Sequence, residues 1–235
     1  YGPTGLQATR PTGIGMGATS HLGIKTGEYD RLIATLIPHY QNLLTEAGRA
    51  VATLARTAPA VVDLGTGSGA LAQQILKVRP KARLVGIDAD ATMLAAATTR
   101  LRGRIQTITD NFERASIPRC DVISASFALH HVPTGRRKAS LYRRCFAALR
   151  TGGMFVSADF FLASSGAIQA RDREAWIAHL QKTYSKKKSE QFLQTWAKED
   201  VYFTLEREIE LLKDAGFAVD VTWRCDSFAV VAGVK

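Results

Sequence analysis

The chain has 235 residues, of which 31 are basic and 21 acidic, and it carries a formal net charge of +10 at pH 7. This length suffices for one sizeable hydrophobic core, and we expect a single domain. No apolar run reaches about 18 residues, so no membrane-spanning helix is expected. Cys120, Cys145 and Cys225 are widely spaced, with no C-x-x-C motif or histidine cluster beside them. They indicate reduced thiols in a cytoplasmic protein without a bound metal.

Residues 1–57 are predicted to form a flexible arm followed by a helical lid. The first part, to about Lys25, is rich in glycine and threonine and has too few apolar residues for its own core. Apolar residues then recur at helical spacing from Glu28 to Leu54. Pro38 interrupts this pattern and divides the lid into two helices.

Residues 61–69 read Val-Val-Asp-Leu-Gly-Thr-Gly-Ser-Gly, which predicts a strand that ends in a glycine-rich turn. Glycines at alternate positions let the backbone approach a ligand without Cβ atoms in the way. A helical pattern begins at Ala70, so the turn has the setting of a cofactor cradle in a doubly wound sheet. Gly65, Gly67 and Ala70 also satisfy the dinucleotide pattern G-x-G-x-x-G/A. Asp63 would repel a pyrophosphate, however, and it favours a ligand that carries positive charge.

Strands and helices alternate over residues 60–159, which indicates a parallel sheet with helices on both faces. The second strand ends at Asp88, and the fourth strand runs into His130 and His131. Gly152 and Gly153 are expected to stop the helix before the fifth strand.

The part of the chain after the fifth strand is predicted to begin with a helical insertion over about residues 160–204. Its two helices are expected at 168–184 and 189–199, and a third helix at 205–215 ends at Gly216. Residues 217–223 and 228–233 indicate a closing β-pair. Residues 58–235 thus form the predicted core.

In their order, these motifs resemble the class I S-adenosylmethionine (SAM)-dependent methyltransferases over most of residues 32–235. The resemblance implies an α/β, Rossmann-like, doubly wound sheet of seven strands whose antiparallel last strand lies between its two neighbours. It also implies SAM as cofactor and S-adenosylhomocysteine (SAH) as product. The lid and tail resemble, more loosely, the carboxy-SAM-forming and tRNA-wobble-uridine group. Near Leu211 and Leu212 no equivalent is found of the arginine with which that group holds the extra carboxylate.

The resemblance also implies a set of cofactor contacts. Asp88 would accept hydrogen bonds from two ribose hydroxyls, Met93 would pack against the adenine, and a polar side chain after the third strand would read the adenine amino group. Tyr29 is added from the lid, because aromatic faces attract a sulfonium. The full predicted set is Asp63, Gly65, Thr66, Gly67, Gly69, Asp88, Ala89, Met93, Asp110, Asn111, Phe112, Phe127 and Tyr29.

His130 and His131 are the predicted catalytic residues, because they follow the fourth strand at the edge where doubly wound sheets bind ligands. A histidine there can accept a proton near neutral pH, or it can brace the loop instead. The predicted acceptor contacts come from the lid and the insertion, where core packing is the alternative; they are His39, Tyr40, Trp196 and Tyr202. Glu199 and Asp200 are interpreted as helix-end charges that could otherwise meet a cationic acceptor.

We therefore expect an enzyme that transfers the methyl group of SAM to an O, N or S atom of a small molecule by in-line displacement. One alternative is an RNA or tRNA methyltransferase, because basic residues cluster at 136–138, 143–144 and 186–188. Solvated faces explain these clusters better, since no aromatic residues are interleaved with them. The other alternative is a SAM-binding protein without transferase activity. A homodimer is compatible with each interpretation.

Overall fold

The computed structural model describes residues 32–235, which begin with a helical turn at 32–36. The helices that follow are α1 (Tyr40–Ala52), α2 (Ala70–Val78), α3 (Ala91–Arg100), α4 (Gly135–Ala148), α5 (Gly166–Leu180), α6 (Lys186–Glu199) and α7 (Leu205–Asp214). The strands are β1 (Ala60–Leu64), β2 (Arg83–Asp88), β3 (Ile105–Thr109), β4 (Cys120–Ser126), β5 (Leu149–Phe160), β6 (Ala218–Cys225) and β7 (Phe228–Val234). The predicted glycine-rich arm and Tyr29 lie outside the described residues.

The seven strands form one sheet in the order β3-β2-β1-β4-β5-β7-β6. Strands β1 to β5 pair in parallel, whereas β7 is antiparallel to both β5 and β6 and lies between them. The central strands β1 and β4 are buried almost throughout, as expected for a parallel sheet with both faces covered. The predicted doubly wound sheet with an inserted antiparallel last strand is confirmed.

Two hydrophobic clusters cover the two faces of this sheet. Helices α1 and α2 pack on one face with the insertion, through buried residues that include Leu43, Ile75 and Trp176. Helices α4 and α7 pack on the other, through residues that include Tyr142 and Leu212. Helix α1 and the insertion therefore share one face of the sheet. The insertion also reaches the segment before α1, where the Trp176 indole N–H donates to the Leu36 carbonyl at 2.8 Å.

The role predicted for Gly152 and Gly153, as the stop of the helix before the fifth strand, is wrong. Helix α4 ends at Ala148 and passes directly into β5, because Leu149 is already extended (φ −68°, ψ 141°) and pairs with Cys120. Gly152 adopts a left-handed conformation (φ 71°) within the irregularity of the β4–β5 pairing, where the register shifts. The two glycines thus accommodate a bulge at the start of a strand. They do not stop the helix.

The thiols of Cys120 and Cys145 are free and buried, and that of Cys225 is free and half-buried. Burial raises the pKa of Cys120 to about 12, so this thiol stays protonated at neutral pH. Within residues 32–235, no helix combines the length and apolar character that a membrane span requires.

The basic residues of α4 have structural partners. Arg137 forms a double hydrogen bond with Glu113, and Arg144 donates to the carbonyl oxygens of Glu113 and Ala115. Lys138 is buried. These contacts tie α4 to the loop after β3, so the cluster at 136–144 is only partly a free basic surface.

A buried ion pair joins α4 to α7 across the second face of the sheet. The Lys138 Nζ lies 2.8 Å from a carboxylate oxygen of Glu208, and both side chains are buried. Tyr142 donates its hydroxyl hydrogen to the other carboxylate oxygen, and Lys138 also lies 4.7 Å from the ring centroid of Phe203. Each buried polar side chain of this cluster therefore has an ion-pair or hydrogen-bond partner within it.

Replacing Lys138 with Met should lower the free energy of unfolding by about 3–5 kcal/mol, because Glu208 would keep a buried charge without its counterion. Urea denaturation followed by circular dichroism measures this change. The matched control is Arg207→Met on α7, which removes an exposed pair with Glu210 and should cost at most about 1 kcal/mol. Equal costs for the two variants would contradict the interpretation.

Candidate functional site

The glycine-rich turn joins β1 to α2 at the carboxyl edge of the sheet. Gly65 and Gly67 have φ values of 62° and 53°, a region that other L-residues rarely adopt. A Cβ atom at Gly65 would lie 2.5 Å from the Cβ of Ala128, whereas one at Gly67 would meet no atom closer than the Met93 Cε at 3.5 Å. Gly65 thus permits close packing against the turn after β4, and Gly67 leaves space beside Met93.

Asp88, at the end of β2, holds this turn in place. One carboxylate oxygen accepts a hydrogen bond from the Gly67 N–H at 2.8 Å, and the other accepts from the Asp90 N–H at 2.9 Å. Burial raises the pKa of Asp88, and the N–H groups of Asp90, Gly67 and Ala89 oppose that increase. Each carboxylate oxygen retains further acceptor capacity, because it carries two lone pairs.

Asp63, at the end of β1, lies beneath the turn. Its carboxyl group accepts a 2.6 Å hydrogen bond from the Ser124 hydroxyl on β4, and its side chain is buried. Burial raises the pKa of Asp63 to about 7; the Ser124 bond opposes this rise and the charge of Asp88 adds to it. The sequence predicts a positively charged ligand beside Asp63, which stays a prediction. In the structure Asp88 holds the amide of Gly67.

The remaining residues of the predicted cofactor set lie at the same edge. Asp110 and Asn111 form a turn after β3, where the Asn111 N–H donates to the Asp110 carboxylate at 2.7 Å. The ring of Phe112 would lie 3.6 Å from a Cβ at Gly65. The other members are placed by their neighbours in the chain: Ala89 follows Asp88, and Thr66 and Gly69 belong to the turn.

Phe127 follows β4 in a left-handed conformation (φ 48°), which is uncommon for a bulky residue and indicates local strain. Its N–H donates to the Ala158 carbonyl at 3.0 Å, which fixes the turn against β5. Its ring centroid lies 5.8 Å from that of Tyr40 and 6.5 Å from that of His130. Phe127 therefore connects α1 with the histidines after β4.

His130 lies in a short 3₁₀ turn, Leu129–His131, and is buried against the end of β5. Its Nδ1 is 2.6 Å from the Oδ1 of Asp159. The Asp159 carboxylate also accepts hydrogen bonds from the N–H groups of Leu129 and Phe160. Burial lowers the pKa of His130, but the charge and hydrogen bond of Asp159 outweigh it and the pKa is raised. Burial likewise raises the pKa of Asp159, but His130 outweighs it, and the pKa is lowered. The pair therefore favours the imidazolium–carboxylate form.

A second carboxylate, Asp200, faces the same two histidines from the end of the insertion. It lies 3.0 Å from the His131 Nδ1 and 3.9 Å from the His130 Nε2. The Tyr202 hydroxyl donates to it at 2.6 Å. The interpretation of Asp200 as a helix-end charge is therefore incomplete, because its side chain belongs to the histidine cluster.

Of the four predicted acceptor contacts, Trp196 and Tyr202 line one cavity, whereas Tyr40 and His39 lie outside it. Tyr40 and Tyr202 flank Phe127 and His130, with the Tyr202 ring centroid 5.8 Å from that of His130. Trp196 is buried in the insertion, 5.5 Å from the ring centroid of Trp176. His39 lies 3.4 Å from the Asp226 carboxylate.

A cavity of about 330 Å³ lies between α5 and α6, above the end of β5. Its walls are largely aromatic and aliphatic, with a few polar side chains. Phe160 and Tyr202, which line it, also pack on each other with a centroid distance of 4.6 Å. Because Tyr202 also contacts His130 and Asp200, the cavity adjoins the histidine cluster. The lining residues are Phe160, Leu162, Gly166, Gln169, Ala170, Arg173, Trp176, Leu193, Trp196, Ala197, Tyr202 and Ser227.

Among residues 32–235, two groups of side chains converge closely enough to hold a metal ion. They are His39, Cys225 and Asp226, and His130, His131 and Asp200, each with its ligand atoms within 4.8 Å of one another. Neither group could be predicted from the sequence, because in each case folding brings the third member to an adjacent pair from a distant position. Asp159 was also missed, although an acidic residue at the end of a parallel strand is a usable signal.

Proteins similar in sequence to this chain include methyltransferases, which agrees with a cofactor site at the glycine-rich turn. A family model described as "Methyltransferase domain" matches residues 62–155. A carboxy-S-adenosyl-L-methionine synthase from Nautilia profundicola is 21% identical over 88% of this chain and 90% of its own length. A trans-aconitate 2-methyltransferase from Mycolicibacterium gilvum is 31% identical over 77% of this chain, which spans 66% of that relative.

Among solved structures, human N-acetylserotonin methyltransferase, determined in complex with SAM, aligns with a TM-score of 0.54 at 18% identity. The alignment covers 91% of this chain and 61% of the human one, so the likeness is one of fold. Residues 62–155, which match the methyltransferase family model, include the glycine-rich turn, Asp88 and both histidines. Together these matches support a SAM-dependent methyltransferase of the class I type, with SAM as its cofactor.

Proposed function

We propose that this enzyme transfers the methyl group of SAM to an O, N or S atom of a small molecule. One observation carries the proposal: the glycine-rich turn and the histidine cluster share one edge of the sheet, and an aromatic cavity adjoins that cluster. Methyl transfer requires chiefly that an acceptor atom be aligned behind the methyl carbon. Proximity and orientation can contribute about 7–11 kcal/mol to such a step.

The cofactor would lie across the glycine-rich turn. Asp88 would accept hydrogen bonds from the ribose hydroxyls with the lone pairs that Gly67 and Asp90 leave available. A cationic ligand near Asp63 would favour its ionised carboxylate, which burial disfavours. The rings of Phe112 and Phe127 would supply apolar and cation-attracting surface.

We assign the proton-accepting role to His130 for acceptors whose proton must leave. Asp159 binds the Nδ1 of this ring and would act as the positioning residue. The Nε2 atom then lies on the side of Tyr202 and Asp200. The half-exposed His131 contacts Asp200, and we assign it to the orientation of that carboxylate. The base acts only in its neutral form, so the transfer rate should rise as the pH passes the raised pKa of His130.

A small molecule fits the described surface better than RNA. An RNA substrate needs an open basic groove, but Arg137 and Arg144 have protein partners and Lys138 is buried. The cavity beside Tyr202 is instead lined by aromatic and aliphatic side chains. Its size suits a small ligand.

Replacing Asp88 with Ala should weaken SAH binding about 10- to 150-fold, because hydrogen bonds to a charged group contribute about 1.5–3 kcal/mol. Isothermal titration calorimetry with SAH measures the change. The matched control is Asp220→Ala, which removes an exposed carboxylate from β6, far from β2 in the sheet. Its affinity should equal that of the unmodified chain. Unchanged affinity in Asp88→Ala would refute the assignment of this residue, and no SAH binding by the unmodified chain would refute the proposed function.

Replacing His130 with Gln should remove a pH-dependent stabilisation. The pKa of His130 is raised above 6.5, so its contribution is complete below that pH and is lost as the pH rises through the raised pKa. The pKa of Asp159 is lowered below 3.8, so its contribution is complete above that pH and is lost as the pH falls through the lowered pKa. The difference in unfolding free energy between the two proteins should therefore be largest between about pH 3.8 and 6.5.

Urea denaturation across that pH range tests this expectation. His179→Gln is the matched control, because burial lowers the pKa of His179 and its contribution should decline as the pH falls. A difference for His130→Gln that does not vary with pH would show that the ion pair is not formed.

A further inference from the structure

We propose that the cavity between α5 and α6 binds a planar aromatic acceptor that carries a carboxylate, with Arg173 as the group that recognises the negative charge. This inference rests on the proposed function, because it names the class of molecule that would present its acceptor atom to the histidine cluster. It adds a specificity-determining residue outside the predicted site.

The walls of the cavity carry aromatic rings that pack on one another. Trp176 packs against Phe160 with a centroid distance of 5.1 Å and against Trp196 with one of 5.5 Å. Phe192 stacks on Trp196 with an interplanar angle of 13°, which supports that ring from behind. These mutual contacts fix the ring orientations, so a planar ligand would find preorganised aromatic surface and lose little affinity to reordering.

Arg173 gives the cavity its charge. It is the only lysine or arginine among the lining residues and lies one helical turn before Trp176 on α5. Within the described part of the chain no carboxylate lies within ion-pair distance of its guanidinium, whereas Arg171 pairs with Asp172 at 2.7 Å. A guanidinium in this position matches the geometry of a ligand carboxylate and can form two parallel hydrogen bonds with it.

Tyr202 forms the wall of the cavity nearest to the proposed chemistry. Tyr202 lines the cavity, its hydroxyl donates to Asp200, and its ring contacts that of His130. An aromatic acid held by Arg173 can therefore place a distant hydroxyl or amine toward the histidine cluster. Loss of that proton to His130 would accompany formation of the new bond to the methyl carbon, while the carbon–sulfur bond of SAM breaks and leaves SAH.

Gly166, at the start of α5, offers a way to close the cavity without strain. It lines the cavity, and a Cβ atom at this position would meet no atom within 4 Å. Its φ lies outside the left-handed region, so a larger side chain is compatible with the backbone. Gly166→Leu should fill part of the cavity and leave the fold intact.

The test uses the full chain and three probes: a hydroxynaphthoate, its methyl ester and the fully hydrogenated acid. Calorimetry at low ionic strength should show the aromatic acid binding about tenfold more tightly than the ester, as expected for a charge-assisted contact. The preference should shrink at high salt, because Arg173 is exposed and its charge is screened. The hydrogenated acid should bind several-fold more weakly than the aromatic one.

Arg173→Gln should reduce the preference for acid over ester to about one, whereas the control Arg171→Gln should keep it. Gly166→Leu should weaken the binding of acid and ester alike. Arg173→Gln and Gly166→Leu should each leave the affinity for SAH unchanged. Equal affinity for acid and ester in the unmodified chain, or an unchanged preference in Arg173→Gln, would overturn the role of Arg173. Equal binding of the hydrogenated acid would overturn the aromatic class. If SAH binds but no aromatic acid does, the inference fails and the proposed function stands; if SAH does not bind, the proposed function itself fails.

Discussion

Asp159 is the residue on which the geometry of the candidate site depends. Its carboxylate, at the end of β5, accepts hydrogen bonds from the His130 ring and from the N–H groups of Leu129 and Phe160. It thereby joins the turn after β4 to the strand that leads into the insertion. A buried carboxylate is stable only when such donors surround it. The paired imidazolium and the backbone N–H groups meet that requirement, and they fix the position of His130 at the same time.

A second carboxylate has a similar function on the cofactor side. Asp88 orders the glycine-rich turn through the Gly67 N–H, while Asp63 lies beneath the turn with Ser124. Two acidic groups near each other raise one another's pKa, as the contribution of Asp88 to the pKa of Asp63 shows. In the proposed function, the positive charge of SAM would relieve this repulsion. The same arrangement would be unfavourable for a pyrophosphate, which agrees with a SAM-dependent methyltransferase.

The insertion after β5 completes the site from the other side. Helices α5 and α6 pack through Trp176 and Trp196 on the face that also carries α1. The chain then returns through Asp200 and Tyr202, and the N–H of Val201 donates to the His130 carbonyl at 2.8 Å. The cavity and the histidine cluster are therefore parts of one packed unit. In the proposed function, a change in the insertion would alter acceptor specificity without disturbing the glycine-rich turn.

Local patterns in the sequence determined the class of fold. The strand, glycine turn and helix at residues 61–76, the alternation up to Asp159, and the closing β-pair each depend on residues close in the chain, so they could be predicted. The role of Gly152 and Gly153 could not be predicted, because a bulge forms only when β4 and β5 pair. Glycine in the left-handed region serves a bulge as well as a helix end.

The candidate site also combines residues that the sequence predicted with residues that only the structure revealed. The sequence by itself determined the glycine-rich turn, Asp88 and the two histidines, because each follows directly from a strand end. Only the tertiary structure decided that Asp159 and Asp200 face His130, that Asp88 holds the loop amide, and that Arg173 lines an aromatic cavity. These partners are separated by tens of residues along the chain. Their contacts depend on how the sheet and the insertion pack, and no local pattern records that geometry.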